Sequence, residues 1–284
     1  MNAVPHIGVG VAGWSYPDWK GFVYPPGVED PLRFLAAYVD MVEVNSTFYR
    51  PPSAHTVSTW VERTGDLPDF YFTAKVHQDV THHGEIAPEM VRAFHEGFKP
   101  MVEAGRLRHL LAQFKWDFAD SPLTRAYLQR IREAFGDLSN LTLELRHNSW
   151  QAPAALAFLE SLRVTVANLD YPQARNSFNL DPCRVGQHAY LRLHGRNTAA
   201  WFDKGAGRDQ TYNYLYNRQE VDSIGARALA LAKVSTTLTV VANNHYQGKE
   251  VVNAIELRSL LHGQKVPVPE LLATKYPELR DYAS

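Results

Sequence analysis

The chain has 284 residues, 45% of them hydrophobic, which suits one large soluble domain with a sizeable core. Lys and Arg total 29 against 30 Asp and Glu, excluding the global basic field that dominates non-specific nucleic-acid binding, so any anion recognition has to be local. The single cysteine, Cys183, excludes an internal disulfide and reads as a loop or packing residue, and no stretch approaches membrane-span length. The start, Met1 to His6, lacks a basic region followed by a long apolar run. These features predict a cytoplasmic protein with no membrane partner.

In chain order, the first strand is expected over Ile7 to Ala12 and the second over Met41 to Asn45, with a helix between them signalled by Asp30-Pro31. Asp is a good N-cap and Pro suits the first helical position. A helix from about Ser53 to Arg63, broken at Gly65 and Pro68, leads to strand three at Phe70 to Lys75. Strands four and five are expected at Leu110 to Phe114 and Leu141 to Leu145, with Ser121-Pro122 opening the helix between them. A helix near Pro153 to Leu162 precedes strand six at Val164 to Leu169. The polar stretch Tyr171 to Gln187 predicts a short or missing helix before strand seven, at Ala189 to Leu193. Asn197 to Tyr216 reads as a large loop, Gln219 to Lys233 as a helix, Leu238 to Ala242 as strand eight and Lys249 to Leu261 as a last helix. The tail from Val266 suits irregular structure or a short helix.

This alternation predicts an α/β fold: a single TIM-type (β/α)₈ barrel domain over residues 1–284, with an irregular or missing helix after strand six and a long loop after strand seven. An open doubly wound sheet is the rival. It would show a Gly-rich phosphate turn after an early strand, whereas Gly8-Val9-Gly10-Val11-Ala12-Gly13 lies within the expected strand, so its match to G-x-G-x-x-G is accidental.

The apolar segments run into Gly13-Trp14, Glu43-Val44-Asn45, Lys75, Gln113, Glu144-Leu145-Arg146, Asp170, Arg192-Leu193-His194 and Asn243-Asn244. Barrel active sites sit at the C-terminal ends of strands, so ionisable groups gathered there call for more than packing. Strand periodicity places Glu43 with Asn45, Glu144 with Arg146 and Arg192 with His194 on common faces. In the functional reading Lys75, Arg146 and Arg192 hold an anionic group while Glu43, Glu144 or His194 handles a proton. The competing reading is an ionic network in which each Glu neutralises an Arg. Pairing of buried charges is expected either way.

Glu43 and Glu144 also suggest glycosidic acid/base hydrolysis, although adjacent arginines favour ionised carboxylates and leave His194 as the natural proton donor. His77, His82, His83, His147, His194, Glu43, Glu144 and Asp170 include metal-ligand types, but no metal-binding spacing is present and the cations nearby oppose a divalent ion. No cofactor is therefore predicted, and a divalent metal is the less favoured alternative. Aromatics follow the strand ends: Trp14, Tyr16, Trp19, Phe48, Tyr49, Trp116, Trp150, Trp201, Tyr212, Tyr214 and Tyr216. Most read as loop anchors, with Trp14 and Tyr49, each directly after a strand, as candidate ligand contacts.

At these residues the chain resembles the DUF72, or YecE-like, family, named for its unknown function. The matching stretches are Gly13-Trp14-Ser15-Tyr16 with Trp19-Lys20-Gly21 and Tyr24-Pro25, Val42 to Tyr49 (VEVNSTFY), Phe72-Thr73-Ala74-Lys75, Thr81-His82, Glu144-Leu145-Arg146-His147 with Ser149-Trp150, Tyr190 to Gly195 (YLRLHG), Asn243-Asn244 and Asn253-Ala254. The resemblance implies a TIM-type barrel and places Glu43, Asn45, Thr47, Tyr49, Lys75, His82, Glu144, Arg146, Arg192, His194, Asn243 and Asn244 in signature positions. It implies no reaction. Gln113-Phe114-Lys115-Trp116 departs from the Gln-Leu-Pro-Pro common in the family. The family's barrel is similar in general form to sugar isomerases and metal-dependent repair endonucleases, a likeness of fold alone.

The leading expectation is a hydrolase acting on a phosphorylated or otherwise anionic sugar or nucleotide. Its candidate catalytic residues are Glu43, Glu144 and His194. Trp14, Asn45, Tyr49, Lys75, His82, Arg146, Arg192, Asn243 and Asn244 are the candidate ligand contacts. The alternatives are phosphodiester cleavage in nucleic acid, which the neutral charge does not favour, and a non-catalytic metabolite-sensing barrel. The oligomeric state is not legible in the sequence.

Overall fold

The computed structural model describes residues 5–178 and 184–284, so the reading of Cys183 and of the first four residues lies outside the described residues. Eight strands, β1 (His6–Val11), β2 (Met41–Val44), β3 (Tyr71–Lys75), β4 (Leu107–Gln113), β5 (Asn140–Glu144), β6 (Thr165–Asp170), β7 (His188–Leu193) and β8 (Thr237–Ala242), close into a barrel in sequence order. Parallel registers include Val9 with Val240 and Gln113 with Glu144. Every expected strand is present. The largest shift is at β4, which begins at Leu107 because Arg108 and His109, polar in the sequence, are accommodated in the strand. Buried His109 is satisfied through Nδ1 and Thr142 Oγ1, 2.8 Å apart.

The helices are α1 (Pro31–Leu35), α2 (Ala54–Arg63), α3 (Pro88–Glu103), α4 (Pro122–Phe135), α5 (Pro153–Ser161), α6 (Thr198–Phe202), α7 (Arg208–Thr211), α8 (Arg218–Lys233), α9 (Lys249–His262) and α10 (Glu270–Lys275). The cap signals act as read: Asp30 accepts from Arg33 N at 3.0 Å, and Ser121 exchanges side-chain and backbone hydrogen bonds with Thr124 in a capping box. Two elements differ from expectation. The sixteen-residue α3, absent from the expected elements, has no side-chain N-cap although Pro88 and Glu89 stand in its first turn, and the loop after β7 contains the short helices α6 and α7. Between β6 and β7 the described residues form no helix, as expected. No helix among the described residues is long and apolar enough to cross a membrane.

The chain divides into two compact units. The terminal unit gathers the chain up to Val42 with Leu169–Pro172 and Tyr190–Ser284, and the central unit comprises Glu43–Asn168 and Gln173–Ala189. In the terminal unit β1 lies against β2 so closely that a Cβ on Gly10 would stand 1.9 Å from Met41 O, so this glycine serves strand packing rather than a phosphate. Asp40, just before β2, accepts from Val9 N at 3.0 Å and Arg258 Nε at 2.8 Å, and lies 3.1 Å from His262 Nε2. Burial alone would raise its pKa, but His262, Arg258 and the Val9 amide outweigh this and hold it below the usual value. Asp40→Ala is expected to cost about 2–3 kcal/mol in urea denaturation at pH 7, since Arg258 loses its carboxylate.

Two buried groups give opposite pH dependences. Burial, with His188 and Arg108 nearby, pushes His109 down to about 3, while burial, with Glu278 and Asp222 nearby, pushes Glu256 up to about 7. Between pH 5 and 7 unfolded chains bind a proton at His109 that the fold rejects, so its contribution to stability rises with pH. At Glu256 the fold binds the proton and the unfolded chain does not, so its contribution falls. Relative to wild type, His109→Gln is therefore expected to lose about 2 kcal/mol of the stability change from pH 5 to 7, and Glu256→Gln to gain about 2 kcal/mol. Urea titrations at the two pH values check both signs.

Candidate functional site

The central unit carries Glu43, Asn45, Tyr49, Lys75, His82, Glu144 and Arg146. A hydrogen-bonded row crosses the ends of β3, β4 and β5. Lys75 Nζ donates to Gln113 Oε1 at 2.9 Å, Gln113 Nε2 donates to Glu144 Oε1 at 2.7 Å, and Arg146 donates to the same oxygen through Nε at 3.0 Å and Nη2 at 2.7 Å. Glu144 is fully buried and Arg146 partly so, with 18% of its side chain exposed, and the pair is charge-assisted. Glu144 and Arg146 share a face, as the strand period requires. Asn45 does not continue that period from Glu43. Its backbone is already helical (φ −86°, ψ −24°), because the chain turns after Val44 into the 3₁₀ turn Ser46–Phe48. Thr47 Oγ1 then donates to Lys75 O at 2.7 Å, and the Phe48 ring lies 5.5 Å from Lys75 Nζ. Glu43 is fully buried on β2.

His82 sits on a π-helical turn, Asp79–His83, that follows β3. Its Nδ1 lies 2.9 Å from Thr81 Oγ1, its ring meets the edge of Phe48 at 5.0 Å, and Lys115 Nζ donates to its backbone carbonyl at 3.1 Å. Burial and the positive charges of Lys115, Arg146, Lys75 and His83 push its pKa down to about 4. The imidazole is thus neutral at pH 7 in a cationic field. Tyr49 is 64% exposed, and its carbonyl lies 2.9 Å from His77 Nε2. Because Asp79 N donates to His77 Nδ1 at 3.1 Å, Nε2 carries the proton and donates to Tyr49 O. His77 and His147, which caps the 3₁₀ turn Asn148–Gln151, are therefore committed to loop structure. Among the described residues no group of three or more His, Cys, Asp or Glu is placed to hold a metal.

The terminal unit carries Trp14, Arg192, His194, Asn243 and Asn244. Arg192 and His194 are fully buried. Arg192 Nη2 donates to Asn243 Oδ1 at 3.0 Å, Arg192 Nη1 lies 3.4 Å from His194 Nε2, and Asn243 Nδ2 lies 3.2 Å from His194 Nδ1. N–H groups thus face both ring nitrogens, and a neutral tautomer accepts from only one of them. Rings of Tyr171, Trp201 and Tyr212 stand 6.3, 5.7 and 6.2 Å from the imidazole. Asn244 Nδ2 donates to Tyr214 O and to Asn253 Oδ1, each at 2.8 Å, and Asn253 in turn pairs with the backbone of Tyr216. Trp14 is half-buried and its carbonyl accepts from Tyr24 Oη at 2.7 Å.

Asp170, at the end of β6, is an anchor. Arg196 grips both its oxygens at 2.8 and 2.7 Å, and Tyr216 Oη donates to it at 2.8 Å while accepting from Gly195 N at 2.9 Å. Gly195 has φ +86°, and a Cβ there would stand 2.7 Å from Tyr214 Cβ, so glycine alone suits this turn. Sequence reasoning left Gln113, Lys115, Arg196, Glu220 and Asn253 out of the site. Gln113 ends a strand and Asn253 lies in a signature stretch, so both had a signal. Arg196 and Glu220, 3.1 Å apart, had none, because only the loop's path brings them together.

The class these observations define is a (β/α)₈ barrel with polar side chains at the C-terminal ends of its strands. The chain belongs to the family described as protein of unknown function DUF72, whose pattern matches residues 8–277. It is 28% identical over 272 residues to the UPF0759 protein YunF of Bacillus subtilis, covering 90% of this chain and 94% of that one. The DUF72 family protein TM1631 of Thermotoga maritima is 32% identical with a TM-score of 0.79, covering 90% of this chain and 99% of the other. A DUF72 family protein of Enterococcus faecalis, EF0366, is 28% identical with a TM-score of 0.80, covering 90% and 95%.

Proposed function

We propose that the protein is a hydrolase that binds a phosphorylated or carboxylate-bearing sugar or nucleotide through the cationic cluster of the central unit. The observation that carries this reading is the placement of two lysines about His82, on the turn after β3: Lys115 donates to the His82 carbonyl, and the Phe48 ring lies 5.0 Å from the imidazole and 5.5 Å from Lys75 Nζ. A purely self-neutralising network would match each cation with a carboxylate. Here Lys115 spends its hydrogen bond on a backbone carbonyl, a neutral acceptor, and Lys75 makes one of its contacts with the amide of Gln113. An incoming oxyanion supplies the negative charge such a cluster favours.

Glu144 and Glu43 are the candidate bases in this unit. Each is a buried carboxylate at a strand end, suited to take a proton from an attacking water. The terminal unit carries its own candidate proton donor, His194, ringed by Tyr171, Trp201 and Tyr212.

The test is a titration of inorganic phosphate and ribose 5-phosphate into wild type and Lys75→Met, followed by calorimetry and by the His82 ring signals in NMR. Binding is expected to raise the His82 pKa from about 4 towards its ordinary value, because an anion offsets the cations that depress it. Lys75→Met is expected to weaken binding at least fivefold. Absence of any anion binding, or equal affinity in both proteins, removes the reading.

A further inference from the structure

The turn after β4 carries Phe114, Lys115, Trp116, Asp117 and Phe118. Phe118 N donates to Lys115 O at 3.2 Å, closing a β-turn with Trp116 and Asp117 at its two central positions. Phe114 and Phe118 hold the turn down. Their rings stack at 4.1 Å and 17°, Phe118 stacks on Trp150 at 5.8 Å, and Trp150 Nε1 donates to Phe118 O at 2.7 Å. Anchoring is therefore complete without Trp116, which is 67% exposed. Among the described residues its indole makes no ring contact or hydrogen bond. An exposed indole beside a lysine of the cationic cluster offers a face on which a planar ring can stack. Its chain neighbour Lys115 belongs to the cationic cluster, reaching His82 O at 3.1 Å.

We infer that Lys115 and Trp116 form a specificity subsite for a nucleotide, with Lys115 adding charge at the phosphate and Trp116 stacking on the base. This rests on the anion-binding reading above and narrows it, since a plain sugar phosphate offers no planar ring. A nucleoside monophosphate fits better than a polynucleotide: the charge cluster is local, and the chain as a whole is neutral to within one charge. The stacking surface tolerates any base, so the subsite selects for a base without choosing among them.

The test is calorimetry of the full-length protein with adenosine monophosphate, ribose 5-phosphate, inorganic phosphate and an eight-nucleotide single-stranded DNA, on wild type, Trp116→Ala and Lys115→Ala. Wild type is expected to bind adenosine monophosphate roughly tenfold more tightly than ribose 5-phosphate. Trp116→Ala is expected to erase that advantage while leaving ribose 5-phosphate affinity unchanged. Lys115→Ala is expected to weaken both. Circular dichroism of the variants, whose substitutions are at exposed turn positions, confirms that they fold. Equal binding of the two phosphates by wild type, or an advantage that survives Trp116→Ala, overturns the subsite while leaving the anion site standing. No binding of any phosphate overturns both. Much tighter, steeply salt-dependent binding of the oligonucleotide overturns the mononucleotide assignment in favour of a nucleic-acid groove.

Discussion

Arg192→Ala is expected to destabilise the protein by about 3–5 kcal/mol, read as a lower urea midpoint at constant slope. The guanidinium is fully buried on β7, so the fold has already met the cost of removing it from water, and its partners are arranged around it. Truncation strands Asn243 Oδ1, which accepts from Nη2 at 3.0 Å, and opens a void beside His194. Arg192→Lys is expected to fall between, because a point ammonium cannot reproduce the planar fork that addresses Asn243 and His194 together. A loss below about 1 kcal/mol for the alanine variant would show that the guanidinium is not integral to this network.

The second large effect concerns turnover. Glu144→Gln is expected to lower the turnover of an identified phosphorylated substrate by at least about 100-fold, while binding falls far less. The amide oxygen of the variant still accepts from Arg146, so the local geometry persists, but the group no longer takes a proton from water. The kinetic signature is a reduced kcat at similar KM. Glu43→Gln distinguishes the two carboxylates: the base is the one whose amide variant loses turnover. Full activity in both variants would remove the carboxylates from the mechanism and with them the hydrolase assignment.

The candidate site was partly legible. Strand periodicity paired Glu144 with Arg146 and Arg192 with His194, and the structure has both pairs in contact although Arg146 and His194 lie just past the ends of β5 and β7. It failed for Asn45, where the chain leaves β2 for a 3₁₀ turn one residue earlier than expected. The aromatic readings divided in the same way. Trp19, Trp150 and Tyr216 are buried anchors, as their type suggests, whereas Trp116 is not, and nothing local distinguishes it. Whether an aromatic is buried depends on which neighbours reach it first, and here Phe118 takes the place on Trp150.

The sequence by itself determined the barrel, the order of its eight strands and which strand ends carry charge, because these follow from apolar periodicity and cap chemistry acting over a few residues. It also determined the family, through stretches that are local in the chain. Only the tertiary structure decided who partners whom: that Gln113 links Lys75 to Glu144, that Asn253 ties Asn244 to Tyr216, and that Asp170 holds Arg196 and the loop behind it. The reason is physical. Hydrogen bonds and ion pairs are made over about 3 Å between groups dozens of residues apart, so no local pattern encodes them until the closed sheet sets their register.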